Sequence, residues 1–352
     1  MERTRSGTSP VETDASAPTA TCPSCGTTLE APRCLHCGAA ATAGGFRVLR
    51  LLHEGNHSRV YLAQGPDGQR IALKELLFSL APDAKALDDF AREGALLHQL
   101  AHPAIPRFIA TFQEGSGAGT RLYLAQEFVE GKTLLAQLTD HRFSAAEAEG
   151  LARQLLPVLA YLHALSPPII HRDLKPANLI VRPDGSLALV DFGSAREVKP
   201  GGTHRATLAG TFGYLPPEAL GGTVDLTADL YALGATLVHL LSRRPPEEAL
   251  WNPEQALGAL VQAPPAFVAW LSKLTASRRG DRFSSAAEAL AALDAPALAA
   301  PPRAPLASPT PTRAALPVGE AEALGLRPRS APARTAERPR WAWTPEIGRA
   351  HV

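Results

Sequence analysis

The octapeptide HRDLKPAN carries an aspartate, a lysine and an asparagine within six residues. Asp173 can accept the proton of an incoming hydroxyl, Lys175 can lie beside a transferring phosphoryl group, and Asn178 can bind a metal ion. Asp191 opens the tripeptide DFG, 18 residues after Asp173 and directly after the apolar run LALV. Because Mg²⁺ prefers a few carboxylates together with phosphate oxygens, these segments predict a magnesium-dependent phosphoryl-transfer site.

Each motif also has an ordinary structural interpretation. An isolated D-x-K-x-x-N pattern is more often a polar surface loop, and the aspartate of a DFG tripeptide can belong to a simple turn. The complete octapeptide and its fixed distance from Asp191 favour catalysis over both alternatives.

The elements that must position these residues change in character along the chain. Residues 46–75 contain short strand-like runs separated by Gly, Asn and Asp. The stretch APDAKALDDFAREGALLHQL places Leu87, Phe90 and Leu97 at helical spacing, and RLYLAQEFV returns to a strand pattern. After Gly131 the pattern is mostly helical, apart from a short strand pair around NLIV and LALV. This order predicts an α+β fold with a small β-rich lobe followed by a larger α-helical lobe.

The motifs and their order resemble a eukaryotic-type (Hanks-type) serine/threonine protein kinase of the sort also found in bacteria. The resemblance covers residues 46–295 and implies a two-lobed protein-kinase fold, with an N-lobe at 46–130 and a C-lobe at 131–295. It implies transfer of the ATP γ-phosphate to Ser or Thr hydroxyls of protein substrates, with Mg²⁺ or Mn²⁺ as cofactor and with autophosphorylation.

Lys74 and Glu93 are the first residues to which the resemblance gives a role. Lys74 shares one strand face with Ala72 because side chains alternate along a strand; by resemblance Lys74 binds the α- and β-phosphates and Ala72 borders the adenine. Glu93 follows 19 residues after Lys74 and borders the apolar stripe of its helix. An inward-facing carboxylate is costly unless paired, so we expect an ion pair between Glu93 and Lys74, as in the family.

The nucleotide lid departs from the family pattern. The family's G-x-G-x-x-G maps onto residues 53–58, where only Gly55 is retained. Since glycine lets backbone N–H groups approach phosphates closely, the losses predict a modest affinity for ATP. Gln126 stands in the gatekeeper position before the hinge. The residues that the resemblance assigns to the ATP site are Leu52, Gly55, Val60, Ala72, Lys74, Glu127, Val129 and Ile180.

The segment GTFGYLPPE resembles the family's G-T-x-x-Y-x-A-P-E on the substrate side. By resemblance Thr211 braces the catalytic aspartate, and together with Lys175 it favours Ser/Thr over Tyr acceptors. Glu218 is expected to pair with Arg282. Asp229, the one acid in an apolar helix, needs buried donors and is expected to anchor the backbone of the catalytic loop.

Two threonines before this segment, Thr203 and Thr207, are candidate phosphorylation sites. Arg172 precedes the catalytic aspartate, as in kinases that are switched by phosphorylation of the activation segment. A phosphate on either threonine would pair with Arg172 and order the segment.

All four cysteines lie in two C-x-x-C-G knuckles, which contain Cys22 and Cys25, then Cys34 and Cys37. Four thiolates at this spacing can surround one Zn²⁺ ion. Neither disulfide pairing nor free thiols explains the repeated glycine. The pattern predicts a zinc-ribbon-like segment at residues 21–40 that obtains most of its folding free energy from structural zinc, with a docking or regulatory role.

Composition limits the surroundings of the protein. A formal net charge of +1 gives no reason to expect nucleic-acid binding, and we find no signal peptide or membrane span in the sequence. Cysteines confined to two knuckles argue against a secreted, disulfide-rich protein, so we expect a cytoplasmic one. Residues 1–20 and the Ala/Pro/Arg-rich residues 296–352 are expected to be disordered; the tail is interpreted as a solvated linker, with a docking peptide as the alternative.

Two other functions remain to be weighed against an active kinase. A pseudokinase that serves as a scaffold or nucleotide sensor would explain the altered lid, and a small-molecule phosphotransferase would share the core motifs. The activation segment and PPE motif argue against the phosphotransferase. The joint retention of five polar residues argues against the pseudokinase: Lys74, Glu93, Asp173, Asn178 and Asp191.

Overall fold

A computed structural model describes residues 21–29, 31–55, 58–77, 84–116, 120–198, 204–205, 210–250 and 256–295. The termini predicted to be disordered, 1–20 and 296–352, lie outside the described residues, as do the two candidate phosphorylation sites, Thr203 and Thr207. Within the described residues, no helix combines the length and apolarity needed to cross a lipid bilayer.

An antiparallel six-stranded sheet forms the small lobe, in the strand order β1-β2-β3-β4-β6-β5. Its strands and the helix that joins β4 to β5 in the chain are β1 (Thr42–Ala43), β2 (Phe46–Glu54), β3 (Ser58–Gln64), β4 (Arg70–Leu76), α1 (Ala84–Gln99), β5 (Phe108–Glu114) and β6 (Arg121–Glu127).

Strand β4 divides its side chains between the two faces of the sheet. Ile71, Leu73 and Glu75 are fully buried on one face, while Ala72 and Lys74 alternate with them on the other. Val60 of β3 lies directly opposite Lys74 and so faces the same side. The period of two therefore separates a surface that carries Ala72 and Lys74 from a second, buried surface.

The large lobe is mainly helical. Its elements are β7 (Lys132–Thr133), α2 (Leu134–Gln137), α3 (Ala145–Ala164), β8 (Ile169–Ile170), β9 (Leu179–Val181), β10 (Leu187–Leu189), β11 (Arg196–Glu197), β12 (His204–Arg205), α4 (Pro217–Leu220), β13 (Thr223–Val224), α5 (Thr227–Ser242), α6 (Pro246–Leu250), α7 (Leu257–Leu260), α8 (Pro265–Leu274) and α9 (Ala286–Asp294).

Helices α3 and α5 form the centre of this lobe. Helix α3 begins with a capping box, in which Ser144 accepts from the Glu147 backbone N–H and the Glu147 carboxylate accepts from the Ser144 N–H. Helix α5 is buried on nearly every side, as expected of a helix inside a core. Gly234 allows α8 to approach α5, because a Cβ at this position would lie 2.6 Å from the Thr275 side chain.

The two-lobed α+β fold predicted from the sequence is confirmed. The predicted helix between the strand-like runs is α1, and the predicted strand pair around NLIV and LALV is β9 and β10, which are antiparallel neighbours. The sequence did not indicate where the cysteine knuckles lie. They pack on the buried face of the small-lobe sheet, where Cys22 and Cys34 join the same apolar cluster as Leu73.

Candidate active site

Three side chains converge on the carboxylate of Asp173. The backbone N–H and the hydroxyl of Thr211 both donate to Oδ1, at 3.1 and 2.8 Å. Lys175 Nζ lies 2.8 Å from Oδ2, and Asn178 Nδ2 donates to the same oxygen at 3.0 Å. Lys175 also donates to the Thr211 hydroxyl at 2.6 Å. These contacts fix the carboxylate in one orientation, which a general base requires.

Asp229 of α5 accepts hydrogen bonds from the backbone that precedes Asp173. The fully buried Asp229 carboxylate accepts the backbone N–H groups of His171 and Arg172, each at 2.9 Å, and lies 3.0 Å from His163 Nε2. Arg172 has a φ of 68°, an uncommon left-handed conformation for a residue with a side chain. Burial acts to raise the pKa of Asp229, but the hydrogen bonds from His163 and the Arg172 backbone, with the nearby histidine charges, bring it below its ordinary value.

Lys74 lies between two carboxylates. Its Nζ is 2.7 Å from Oε2 of Glu93 on α1 and 3.0 Å from Oδ1 of Asp191, which follows β10. Burial alone would lower the pKa of Lys74, but the charges of Asp191 and Glu93 raise it, so the ammonium stays protonated. The positive charge of Lys74 in turn lowers the pKa of Asp191 to about 2.

Asp191 and Asn178 are suited to a divalent cation. Asp191 is ionised at neutral pH. The side-chain NH₂ of Asn178 donates a hydrogen bond to Asp173, which leaves its amide oxygen as an acceptor. Strand β9 begins directly after Asn178, and Val190 N–H bonds the Asn178 carbonyl at 2.9 Å, which connects the two segments. Carboxylate and amide oxygens are the ligands that Mg²⁺ takes in proteins.

Residues 46–290 match the family model for the protein kinase domain, which covers more than half of the chain. The chain belongs to the protein kinase family. It is 33% identical over 291 residues to serine/threonine-protein kinase PknA of Nostoc sp., covering 75% of this chain and 49% of that protein.

Other bacterial kinases give the same result. Serine/threonine-protein kinase C of Synechocystis sp. is 36% identical over an alignment of 218 residues that covers 57% of this chain and 40% of that protein. Serine/threonine-protein kinase pkn2 of Myxococcus xanthus is 37% identical over an alignment of 212 residues that covers 58% of this chain and 25% of that protein. The chain thus spans half or less of the length of these relatives. Kinase domains in general use ATP with Mg²⁺ or Mn²⁺.

The residues assigned to the ATP site lie on the small-lobe sheet, at its junction with the large lobe, or on β9. Val60, Ala72 and Lys74 share the cleft face of the sheet, and Val129 follows β6 and is buried. Leu52 lies at a register irregularity of β2, Glu127 ends β6, and Ile180 lies on β9.

The gatekeeper Gln126 lies opposite Ala72 across β4 and β6, and therefore on the same cleft face. Its Oε1 is buried and has no hydrogen-bond partner among the described residues. A buried acceptor without a partner costs free energy, so this oxygen fits a ligand that brings an N–H or O–H donor to the cleft.

The two ends of the lid, at Gly55 and Ser58, are hydrogen-bonded to each other despite the missing glycines. Gly55 N–H donates to the Ser58 carbonyl at 2.8 Å, and the flanking Glu54 and Arg59 form an ion pair at 2.7 Å. The intervening residues 56 and 57 lie outside the part of the chain that is described.

Two contacts brace the substrate side. Arg282, which is buried, forms a bidentate pair with Glu218 at 2.6 and 2.8 Å. The second contact, between Tyr214 Oη and His239 Nδ1 at 2.5 Å, was missed by sequence reasoning, because the two residues are 25 positions apart and no local pattern relates them. It fixes the segment after Thr211 to α5.

The four cysteines of the two knuckles meet at one point. Their Sγ atoms lie within 4.8 Å of one another, and the pairs Cys22–Cys37 and Cys25–Cys34 are each 3.5 Å apart. Both knuckles repeat the same backbone bonds around a glycine with positive φ. Zn–S bonds of about 2.3 Å in a tetrahedron place sulfurs about 3.8 Å apart, so the cluster fits one four-coordinate metal ion.

Sequence reasoning also missed Glu75, which follows Lys74 and is fully buried on the opposite face of β4. The signal was present in the strand pattern, because an acid that continues the apolar face of Ile71 and Leu73 must find buried donors.

Proposed function

We propose that this protein is a serine/threonine protein kinase that transfers the γ-phosphate of ATP to Ser or Thr hydroxyls of protein substrates. The observation that carries the proposal is the presence of both halves of a phosphoryl-transfer site. The triad of Lys74, Glu93 and Asp191 provides phosphate and cation binding, and Asp173 with its donors provides the base.

Each residue has a chemical role in this proposal. ATP supplies the phosphoryl group, and the divalent cation offsets the negative charge of the phosphates. Asp173 takes the proton of the substrate hydroxyl as the hydroxyl oxygen bonds to the γ-phosphorus and the bond from that phosphorus to the bridging oxygen of ADP breaks. Lys175 offsets the charge that develops on the transferring group. Lys74 binds the phosphates that are left behind, while Asn178 and Asp191 hold the cation.

The choice of Ser/Thr over Tyr rests on Lys175 and Thr211. Both contact the Asp173 carboxylate and each other, so they occupy the space beside the base. The relatives that the chain matches are also described as serine/threonine kinases. We infer that the acceptor is a short aliphatic hydroxyl.

The test is transfer of ³²P from labelled ATP to the protein itself and to a generic basic protein, with Asp173→Asn as the matched control. We expect the parent to exceed the variant by about 10²- to 10⁴-fold, the usual contribution of a general base. Transfer no higher than in Asp173→Asn, with ATP still bound, would replace this proposal with a nucleotide-binding scaffold.

We further propose that Cys22, Cys25, Cys34 and Cys37 hold one structural Zn²⁺ ion. The geometry of the four Sγ atoms supports this assignment. Metal analysis of the purified protein should give one zinc per chain, and the Cys22→Ser/Cys25→Ser variant should give none. Iron in place of zinc would appear in the same measurement and contradict the choice of metal.

A further inference from the structure

The cysteine segment, residues 21–40, forms part of the packing of the small lobe. Cys22 and Cys34 are buried in one apolar cluster with Tyr61, Leu73 and Tyr123 of the sheet. The chain then forms β1 and turns into β2 through Gly44, whose φ is 56° and where a Cβ would lie 2.4 Å from the Phe112 ring. The segment therefore covers the face of the sheet opposite to Lys74.

Glu75 is the polar centre of this contact. One of its oxygens lies 2.6 Å from Arg121 Nη1 and accepts the Tyr123 hydroxyl at 3.0 Å, and the other accepts the Tyr61 hydroxyl at 3.0 Å. The side chain is fully buried. Because a buried carboxylate is tolerated only when it is paired and hydrogen-bonded, this set of donors fixes the position of β4 at Glu75.

Arg33 connects the cysteine segment to this centre. It directly precedes Cys34, and its Nη1 lies 3.8 Å from the Glu75 carboxylate. Its Nη2 donates to Glu114 at 2.9 Å and to the Tyr123 hydroxyl at 3.2 Å. A single side chain of the segment thus reaches three residues of the sheet.

The lid strands have their own connections to the segment. Leu51 N–H, next to Leu52, donates to the Pro23 carbonyl at 3.0 Å. Arg59, which pairs with Glu54 beside the lid, donates to the Cys37 carbonyl at 2.8 Å. Both knuckles are therefore bonded to the strands on either side of Gly55.

These contacts link the cysteine cluster to the nucleotide cleft through rigid elements. Lys74 and Glu75 are adjacent in one strand, so a shift of β4 at Glu75 also moves the ammonium of Lys74. A segment of this size cannot bury enough core to fold alone, so its contacts with the sheet depend on the metal. Loss of the metal would release Arg33, Pro23 and Cys37 from β4, β2 and β3.

We propose that Arg33 and Glu75 are positioning residues for the ATP site, through which metal binding at the four cysteines and nucleotide binding at Lys74 strengthen each other. The proposal rests on the nucleotide and metal sites proposed above. Coupling between two sites is reciprocal, so the factor by which the metal tightens nucleotide binding must equal the factor by which nucleotide tightens metal binding.

The first test measures zinc release to a chromogenic chelator, with and without a saturating non-hydrolysable ATP analogue and Mg²⁺. We expect the analogue to tighten zinc binding about fivefold or more, the lower end of ordinary coupling between sites. Equal zinc affinity with and without the analogue would overturn the proposal.

The second test measures the dissociation constant of the same analogue on zinc-loaded variants. Arg33→Ala should bind it about fivefold more weakly and should no longer show the effect of the analogue on zinc, while Arg33→Lys should recover part of both. Arg47→Ala is the matched control, since Arg47 is an exposed residue of β2 that donates to Gln64. Analogue binding by Arg33→Ala equal to that of Arg47→Ala, at equal zinc content, would overturn the proposal.

Neither test depends on phosphoryl transfer. Coupled binding without ³²P transfer would remove the proposed enzyme activity and keep the positioning role. Normal ³²P transfer with uncoupled binding would keep the proposed enzyme activity and remove the positioning role.

Discussion

Thr211 donates two hydrogen bonds to Asp173, from its backbone N–H and its hydroxyl, and these orient the proposed base. We expect Thr211→Val to lower kcat about tenfold to a hundredfold, because small displacements of a base cost this much. KM for ATP should stay unchanged, since Thr211 contacts the base and not the Lys74 triad. Steady-state kinetics with a protein substrate measure both constants.

Thr211→Ser is the control, because it keeps the hydroxyl and changes only a methyl group. Its kcat should remain close to that of the parent. A loss in Thr211→Ser as large as that in Thr211→Val would contradict the assignment of the effect to the hydroxyl alone, because the serine variant keeps the hydroxyl and lacks only the methyl group.

Asp229 makes the stability of the protein depend on pH. Its pKa is lowered in the folded state, so its stabilising effect is complete above the unfolded pKa of about 4 and is lost as the pH falls through the folded value. Asp229→Asn should therefore lower the free energy of unfolding by about 3–5 kcal/mol at pH 7. The difference from the parent should shrink below pH 4.

Urea unfolding at several pH values measures this effect. Asp140→Asn is the control, because Asp140 is an exposed carboxylate. A deficit in Asp229→Asn that stays constant from pH 7 to pH 3 would show that the carboxylate charge is not the cause.

At the scale of elements, helix α1 is held at two positions. Glu93 pairs with Lys74 of β4, and Asp89 one turn earlier pairs with Arg196 of β11 at 2.5 Å. The helix thus connects Lys74, the proposed phosphate-binding residue, to the strand that follows the DFG tripeptide. Any movement of β11 would be transmitted to Glu93 through Asp89.

Alanine substitutions at two helical glycines are expected to change the stability of the protein in opposite directions. Gly234→Ala should destabilise the protein by about 1–3 kcal/mol, because overpacking forces a shift where α5 meets Leu274 and Thr275 of the α8 end. Gly150→Ala in α3 should stabilise it by about 0.5–1 kcal/mol, since the new methyl meets no atom within 4 Å. Urea unfolding of both variants tests this pair, and the same sign of change in both would contradict it.

At the scale of the whole molecule, we expect the proposed metal to stabilise the small lobe. Removal of zinc by a chelator should raise hydrogen exchange in β2, β3 and β4, which contact the cysteine segment, and leave α5 and α8 protected. The reason is that the segment is proposed to depend on metal for its folding, while the large-lobe core is not. Uniform loss of protection in both lobes would contradict this expectation.

Much of the fold was predictable because its strands and helices follow from local patterns in the sequence. The alternation in RIALKEL and the apolar spacing around Phe90 gave β4 and α1, and the ion pair of Lys74 with Glu93 was expected from their faces. The contact of Tyr214 with His239 and the packing of Cys22 against Leu73 were not predictable. Both arise between distant segments, where no periodicity constrains which surfaces meet.

Glu75 also has a consequence for sequence variation among protein kinases. A carboxylate at this position is stabilised by hydrogen bonds from Tyr61, Arg121 and Tyr123 and by the charge of Arg33, 3.8 Å away in the covering segment. Relatives that lack a preceding pair of C-x-x-C-G knuckles should therefore carry an apolar or neutral residue here. Substitutions at the five positions should be correlated across species, and an alignment in which they change independently would contradict the shared role.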